Sequence, residues 1–117
     1  MSALDRTVTE LEIRRARDDA ERRARQERAA EFLKEFFDAD LAPSQKLKAS
    51  GVQAAFDGKR IVLQKPEEGV YAEAMMIVVG EQGEIDVSGR SLGPVYVNDK
   101  ETRKKELIAE IISHFSL

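Results

Sequence analysis

Few residues in this chain of 117 are of a type that does chemistry, and they are scattered. Histidine occurs once, as His114, and cysteine not at all, which removes disulfides, thiolate ligands and cysteine nucleophiles together. A single imidazole with no other ligand at suitable spacing makes no metal site. Gly89-Arg90-Ser91-Leu92-Gly93 has the Gly-x-Ser-x-Gly spacing, but a hydrolase triad built on it with His114 has no identifiable acid partner. Near the end of a helix its positive charge is favoured by the macrodipole, a stability role. Glu84 and Asp86 point the same way from one strand, and Glu67-Glu68 sit in a nearby turn. Paired carboxylates can exchange protons or hold a hard cation. Nothing in the sequence completes a coordination set, so the solvent face of an antiparallel strand accounts for them. The stretch from Gly89 to Pro94 is expected to be a flexible loop long enough for a small ligand. In it Gly89, Arg90, Ser91 and Gly93 form a candidate anion site, with backbone N–H groups and one guanidinium. Its glycine spacing matches neither a phosphate loop nor a dinucleotide fold, and ordinary loop punctuation explains it better.

The densest charge lies between Arg14 and Arg28, where seven arginines face four acids. Arg14, Arg15, Arg22, Arg23 and Arg25 are candidate nucleic-acid contacts, because a planar guanidinium suits phosphate and a basic helix fits a major groove. The acids are interleaved at spacings that pair with the arginines, as in Glu10/Arg14, Asp18/Arg22, Asp19/Arg23 and Glu21/Arg25. Affinity for nucleic acid follows net phosphate neutralisation, so a salt-bridged solvated face is the stronger reading.

Over the whole chain 19 basic and 22 acidic residues leave a formal charge of −3, with no global field to attract nucleic acid or an anionic membrane. The longest apolar run, Ala74 to Val79, is too short to cross a bilayer. Residues Met1 to Arg6 lack the apolar core of a signal peptide, so a cytoplasmic location is expected. No cofactor is implied.

The elements follow from periodicity. Residues 1–41 contain neither Gly nor Pro and are rich in Ala, Arg, Glu and Leu, which predicts one long helix from about Leu4 to Leu41. At about 100° per residue, Leu4, Val8 and Leu11 fall on the same side as Ala29, Leu33, Phe36 and Phe37, with charged residues between. Residues 42–117 read as a small domain. Asp57-Gly58 between two strand-like runs predicts a type I′ hairpin, and Pro66 to Gly69 a second turn. Val70 to Val79 is apolar on both faces near its end, which suits a central strand, and Glu84 to Ser88 alternates as a half-exposed one. Val95 to Val97 adds a short extended piece. Asn98, with Glu101 three residues on, is expected to cap a last helix whose Leu107, Ile108, Ile111, Ile112 and Phe115 form a buried stripe. The fold class is therefore α+β: a long N-terminal helix, a four-stranded antiparallel meander and a C-terminal amphipathic helix packed on the sheet.

A helix from Leu4 to Leu41 is ~57 Å long, whereas a domain the size of residues 42–117 is about 30 Å across. Nearly half the helix must project unless it bends back on its own sheet. Leu4, Val8, Leu11 and Ile13 would be wasted on a free rod. The expected function is accordingly a non-enzymatic binding or assembly module that forms a homodimer, or holds a protein partner, through those residues. Nucleic-acid binding through the arginine helix is the alternative. A small-ligand or enzymatic site at Gly89–Pro94 comes third.

Overall fold

The computed structural model describes residues 2–67, 70–96 and 98–117. Helix α1 runs unbroken from Ala3 to Phe36, with the Ser2 hydroxyl accepting the Asp5 N–H as its N-cap. It passes directly into a π-helical turn, Phe37–Leu41, closed by the Ala42 N–H on the Phe37 carbonyl at 2.8 Å. The wide turn has a packing reason. On an uninterrupted α-helix Leu41 would point about 80° away from Leu33, and inserting one residue, about 100°, brings it back to within ~20°. Leu41 is buried. Pro43 then stops the helix, and Ser44 caps a short helix α2, Gln45–Ala49, which its length hides from periodicity.

Five strands follow in simple order: β1 Gln53–Phe56, β2 Arg60–Glu67, β3 Val70–Val79, β4 Glu84–Val87 and β5 Arg90–Pro94. All neighbours are antiparallel, so the expected meander is present with one strand more. The fifth strand corrects the reading of Gly89–Pro94 as a flexible loop. Ser88 and Gly89 both have positive φ, 48° and 89°, and join β4 to β5 through a tight turn of the I′ kind. The Asp57-Gly58 hairpin forms, but its turn is centred one residue later than expected. Phe56 pairs with Ile61 and Asp57 N–H bonds the Arg60 carbonyl, so Gly58 and Lys59 are central. Only Gly58 has positive φ, the II′ pattern. Asp57 accepts the Lys59 N–H, which holds its carboxyl below the ordinary 3.8, with Arg60 adding to the effect. The turn expected at Pro66–Gly69 runs outside the described residues from Glu68 on, with Pro66 and Glu67 belonging to β2. Val97 lies outside them too.

The last helix, α3, spans Lys100–Phe115 and is capped by Asp99 rather than Asn98. Asp99 Oδ1 takes both the Thr102 N–H and the Thr102 hydroxyl, which Asn98 is one residue too early to reach. Ala29, Phe32, Leu33 and Phe36 of α1, together with Leu107, Ile111 and Phe115 of α3, share one core with Ile61, Leu63, Met75, Ile77, Ile85 and Val87 of the sheet. Both helices therefore cover the same sheet face. Lys100 and Lys104 of α3 reach Glu35 and Asp40, tying the end of α1 to α3. The Asp40 carboxylate beside Lys104 holds the lysine pKa above its usual value.

Arg103 holds the far edge. It is buried, and its guanidinium donates to the carbonyls of Leu92 and Pro94 in β5 and to Glu106. Edge strand β5 is thereby fastened to α3, where Gly93 leaves the guanidinium room at 3.5 Å from where a Cβ would stand. Arg103→Met should keep the aliphatic packing, lose these bonds and lower stability by about 2–4 kcal/mol in urea denaturation. Hydrogen exchange should locate the loosening at β5.

Candidate functional site

The molecule measures 69 × 33 × 20 Å with a radius of gyration of 18.9 Å, where a compact chain of this length would have about 13 Å. The excess is the first part of α1. Residues 2–18 are exposed throughout, and the first fully buried position is Ala29. The helix meets the domain at Arg25 and Gln26. Arg25 Nε donates to the Gln82 carbonyl at 3.2 Å, and Gln26 Nε2 to the Glu81 carbonyl at 2.6 Å. Those carbonyls belong to the β3–β4 turn, so α1 leaves the sheet over that turn and residues 3–21 form a free arm ~28 Å long.

Gly83 makes the crossing possible. Its φ is +80°, and a Cβ there would stand 2.5 Å from Arg25 Cβ and 2.7 Å from the Arg25 carbonyl carbon. The turn thus touches helix backbone with no side chain between them.

On the arm Leu4 is 73% exposed, Val8 45% and Leu11 42%. These three share one side of the helix, and the same side further along is the stripe of Ala29, Leu33 and Phe36 buried on the sheet. The arm therefore carries the core-facing stripe past the edge of its own core. Ile13, 57% exposed, points about half a turn away and is not part of this surface.

The arginines do not converge on one face. Arg15 and Arg22 lie along the apolar stripe, Arg14 and Arg25 to one side of it, and Arg23 about 100° round the other way. Arg22 pairs with Asp19 at 2.7 Å, and Arg25 is held by Gln82. Among the described residues the expected i,i+4 pairs are not closed; Arg22 turns to Asp19 one turn back in place of Asp18.

In β5, Arg90 is paired with Glu110 of α3, and the Gly93 N–H donates to Ser91 Oγ at 3.3 Å. Two of the groups offered for an anion are thus engaged within the fold. Glu84 and Asp86 do point the same way, half-buried on the sheet face that the helices leave open. There the Glu84 carboxylate accepts the Gln82 N–H at 2.9 Å. His114 stands edge-on to Phe115, with ring centroids 4.6 Å apart. Among the described residues no three His, Cys, Asp or Glu side chains are placed to hold a metal ion. Among them too, no helix is long and apolar enough to cross a membrane.

Two further apolar surfaces lie outside the sites expected from the sequence. A cleft of about 350 Å³ lies between α2 and α3, lined by Leu41, Leu47, Ile108, Ile111, Ile112 and Leu117. The second is the open sheet face. Strand alternation puts Val62, Met76 and Val78 there, opposite the buried Ile61, Leu63, Met75 and Ile77. Val62 pairs with Met76 and with Ala55 across the sheet, so the four make one patch. The two-sided apolar character of Val70–Val79 was a readable signal for a central strand, and β3 is central. That its second face stays uncovered was not readable.

No protein-family model, curated protein or solved structure matches the chain.

Gly83→Val should destabilise the domain by ~3 kcal/mol, through both the left-handed φ and the overlap with Arg25. Gly58→Val, also at positive φ but with open space around it, should cost less in the same denaturation series.

Proposed function

We propose that this protein is a non-enzymatic assembly module that self-associates through its N-terminal arm. The observation that carries the reading is the stripe of Leu4, Val8 and Leu11, exposed on a projecting helix and in line with the core stripe of the same helix. Most of the stability of a helix in a protein comes from packing its apolar face. An arm of residues 3–21 has none of that within its own chain. Three large aliphatic side chains along one line are a contact surface, whereas single exposed ones are commonplace. A second copy is the simplest occupant, because a two-fold pair lets each arm be covered by an identical chain.

Replacing Leu4, Val8 and Leu11 together by Ser should convert the dimer to monomer in sedimentation equilibrium. The thermal midpoint of the β-domain at matched low concentration should move little. A wild-type chain that stays monomeric at about 100 µM, well above any functional affinity of this kind, contradicts the proposal.

The rival reading, nucleic-acid binding through Arg14, Arg15, Arg22, Arg23 and Arg25, is weakened by their spread around the helix and by the internal partners of Arg22 and Arg25. A low-salt heparin column separates the two readings. On the assembly reading, reversing Arg22, Arg23 and Arg25 to Glu leaves elution nearly unchanged. Strong retention with a steep salt dependence, lost in that variant, favours nucleic acid.

A further inference from the structure

The open sheet face carries an apolar patch, Ala55, Val62, Met76 and Val78, with Met76 38% exposed. We infer that this patch is the seat for the arm of a second copy, so that two chains exchange arms across a two-fold axis with their sheets side by side in one plane. The inference rests on the proposed self-association and names the surface that receives the arm.

Direction comes first. The arm lies on the helix-covered side of its own sheet, and Leu4, Val8 and Leu11 face toward the level of that sheet, as Ala29 and Leu33 do. Beyond the β3–β4 turn that level is empty. Place a second copy there, turned over by a two-fold axis running in the plane of the sheet and across the end of this turn. Its sheet then continues the first, but with the open face toward the first copy's arm. The same operation sets the second copy's arm on the first copy's open face. A straight α1 satisfies both contacts with no bend, and its span from Ala3 to Phe36 is unbroken.

Length and register agree with this. The arm, ~28 Å long, is close to the ~33 Å of the ten-residue strand β3. Counting from the contact of Arg25 with Gln82, Leu11 lies ~21 Å and Val8 ~26 Å out along the helix. Gly80 is level with Glu84 and only the tip of the turn lies beyond it, so counting from that tip Val78 lies ~10 Å and Met76 ~17 Å into the sheet along β3. The two differences, about 11 and 9 Å, match the roughly 10 Å that segments separated by side chains need. Leu11 thus falls on Val78 of the second copy and Val8 on its Met76 and Val62.

Charge is complementary at the same register. Arg15, on the stripe one turn inside Leu11, falls where Glu84 and Asp86 of the second copy rise half-buried from the open face. Asp18, a turn nearer the axis, arrives beside the β1–β2 turn that bears Lys59. The charged middle of the stripe thus faces opposite charge, while its apolar end covers apolar surface. Arm-to-arm pairing in parallel would instead set Arg15 against Arg15 and Asp18 against Asp18 along the seam.

The chain has no cysteine, so disulfide trapping reads the geometry directly. Chains carrying Val8→Cys and chains carrying Met76→Cys, mixed and oxidised, should give a linked heterodimer as the main product. Either variant alone should give almost none, because the two arms lie on opposite sides of the joined sheets. As a second readout, Met76→Lys should weaken dimerisation about tenfold or more in sedimentation equilibrium, with an unchanged circular dichroism spectrum. Linkage of Val8→Cys to itself would overturn the inference in favour of arm-to-arm pairing and leave self-association standing. A dimer with no linkage in the mixture would overturn it as well. A chain that remains monomeric fails both this inference and the reading beneath it.

Discussion

Arg25 rests on Gly83 with no side chain between them, and the level at which α1 leaves the sheet follows from that contact. With the turn pinned there, Arg25 and Gln26 reach the carbonyls of Gln82 and Glu81, and the stripe beginning at Ala29 falls on β2, β3 and β4. Everything before Arg22 is left without a sheet beneath it. A bulkier turn would lift the helix off the core, and a turn one residue longer would change how much arm is free. The division of one helix into a docked half and a projecting half is therefore made by a glycine on the opposite side of the interface.

The docked half is assembled from several independent fastenings. The π turn realigns Leu41 with the core, and Lys100 and Lys104 join α3 to the end of α1. Arg103 then secures β5 to α3 through two backbone carbonyls. These devices occupy one face and one edge of the sheet. The other face is left with aliphatic side chains at its centre and carboxylates toward the β3–β4 end, a division that solvent exposure alone does not require.

Much of this architecture was legible in the residues. The absence of Gly and Pro before Pro43, and the 3.6-residue spacing of Ala29, Phe32, Leu33 and Phe36, specify the long helix and its docked end. The two-sided apolar run of Val70–Val79 specifies a central strand. What escaped did so for local reasons. Ser88 takes a left-handed φ with little side-chain warning, so the I′ turn and the strand after it were concealed. Gly93 and Pro94 then made that strand look like loop. Helix α2 is too short for periodicity to register. The role of Arg103 and the fit of Gly83 against Arg25 depend on residues far apart in the chain, and spacing along the sequence carries no trace of them. For the candidate site the same division holds: the Leu4, Val8, Leu11 line follows from periodicity, but the uncovered second face of the sheet emerges only once both helices are seen on the first.

The unbroken course of α1 also bears on stoichiometry. A stiff rod fixed at one end points at a single location, so in the arm-exchange arrangement the chain that receives an arm is also the chain that returns one. The assembly then closes at two copies, with each arm and each open sheet face already engaged and neither left to recruit a third. A hinge in the same place, such as a Gly pair within Ala20–Ala24, would release that constraint. Each arm could then reach a different neighbour, and the same two surfaces would propagate as an open chain. In the arm-exchange arrangement helical stiffness would act as a counting device.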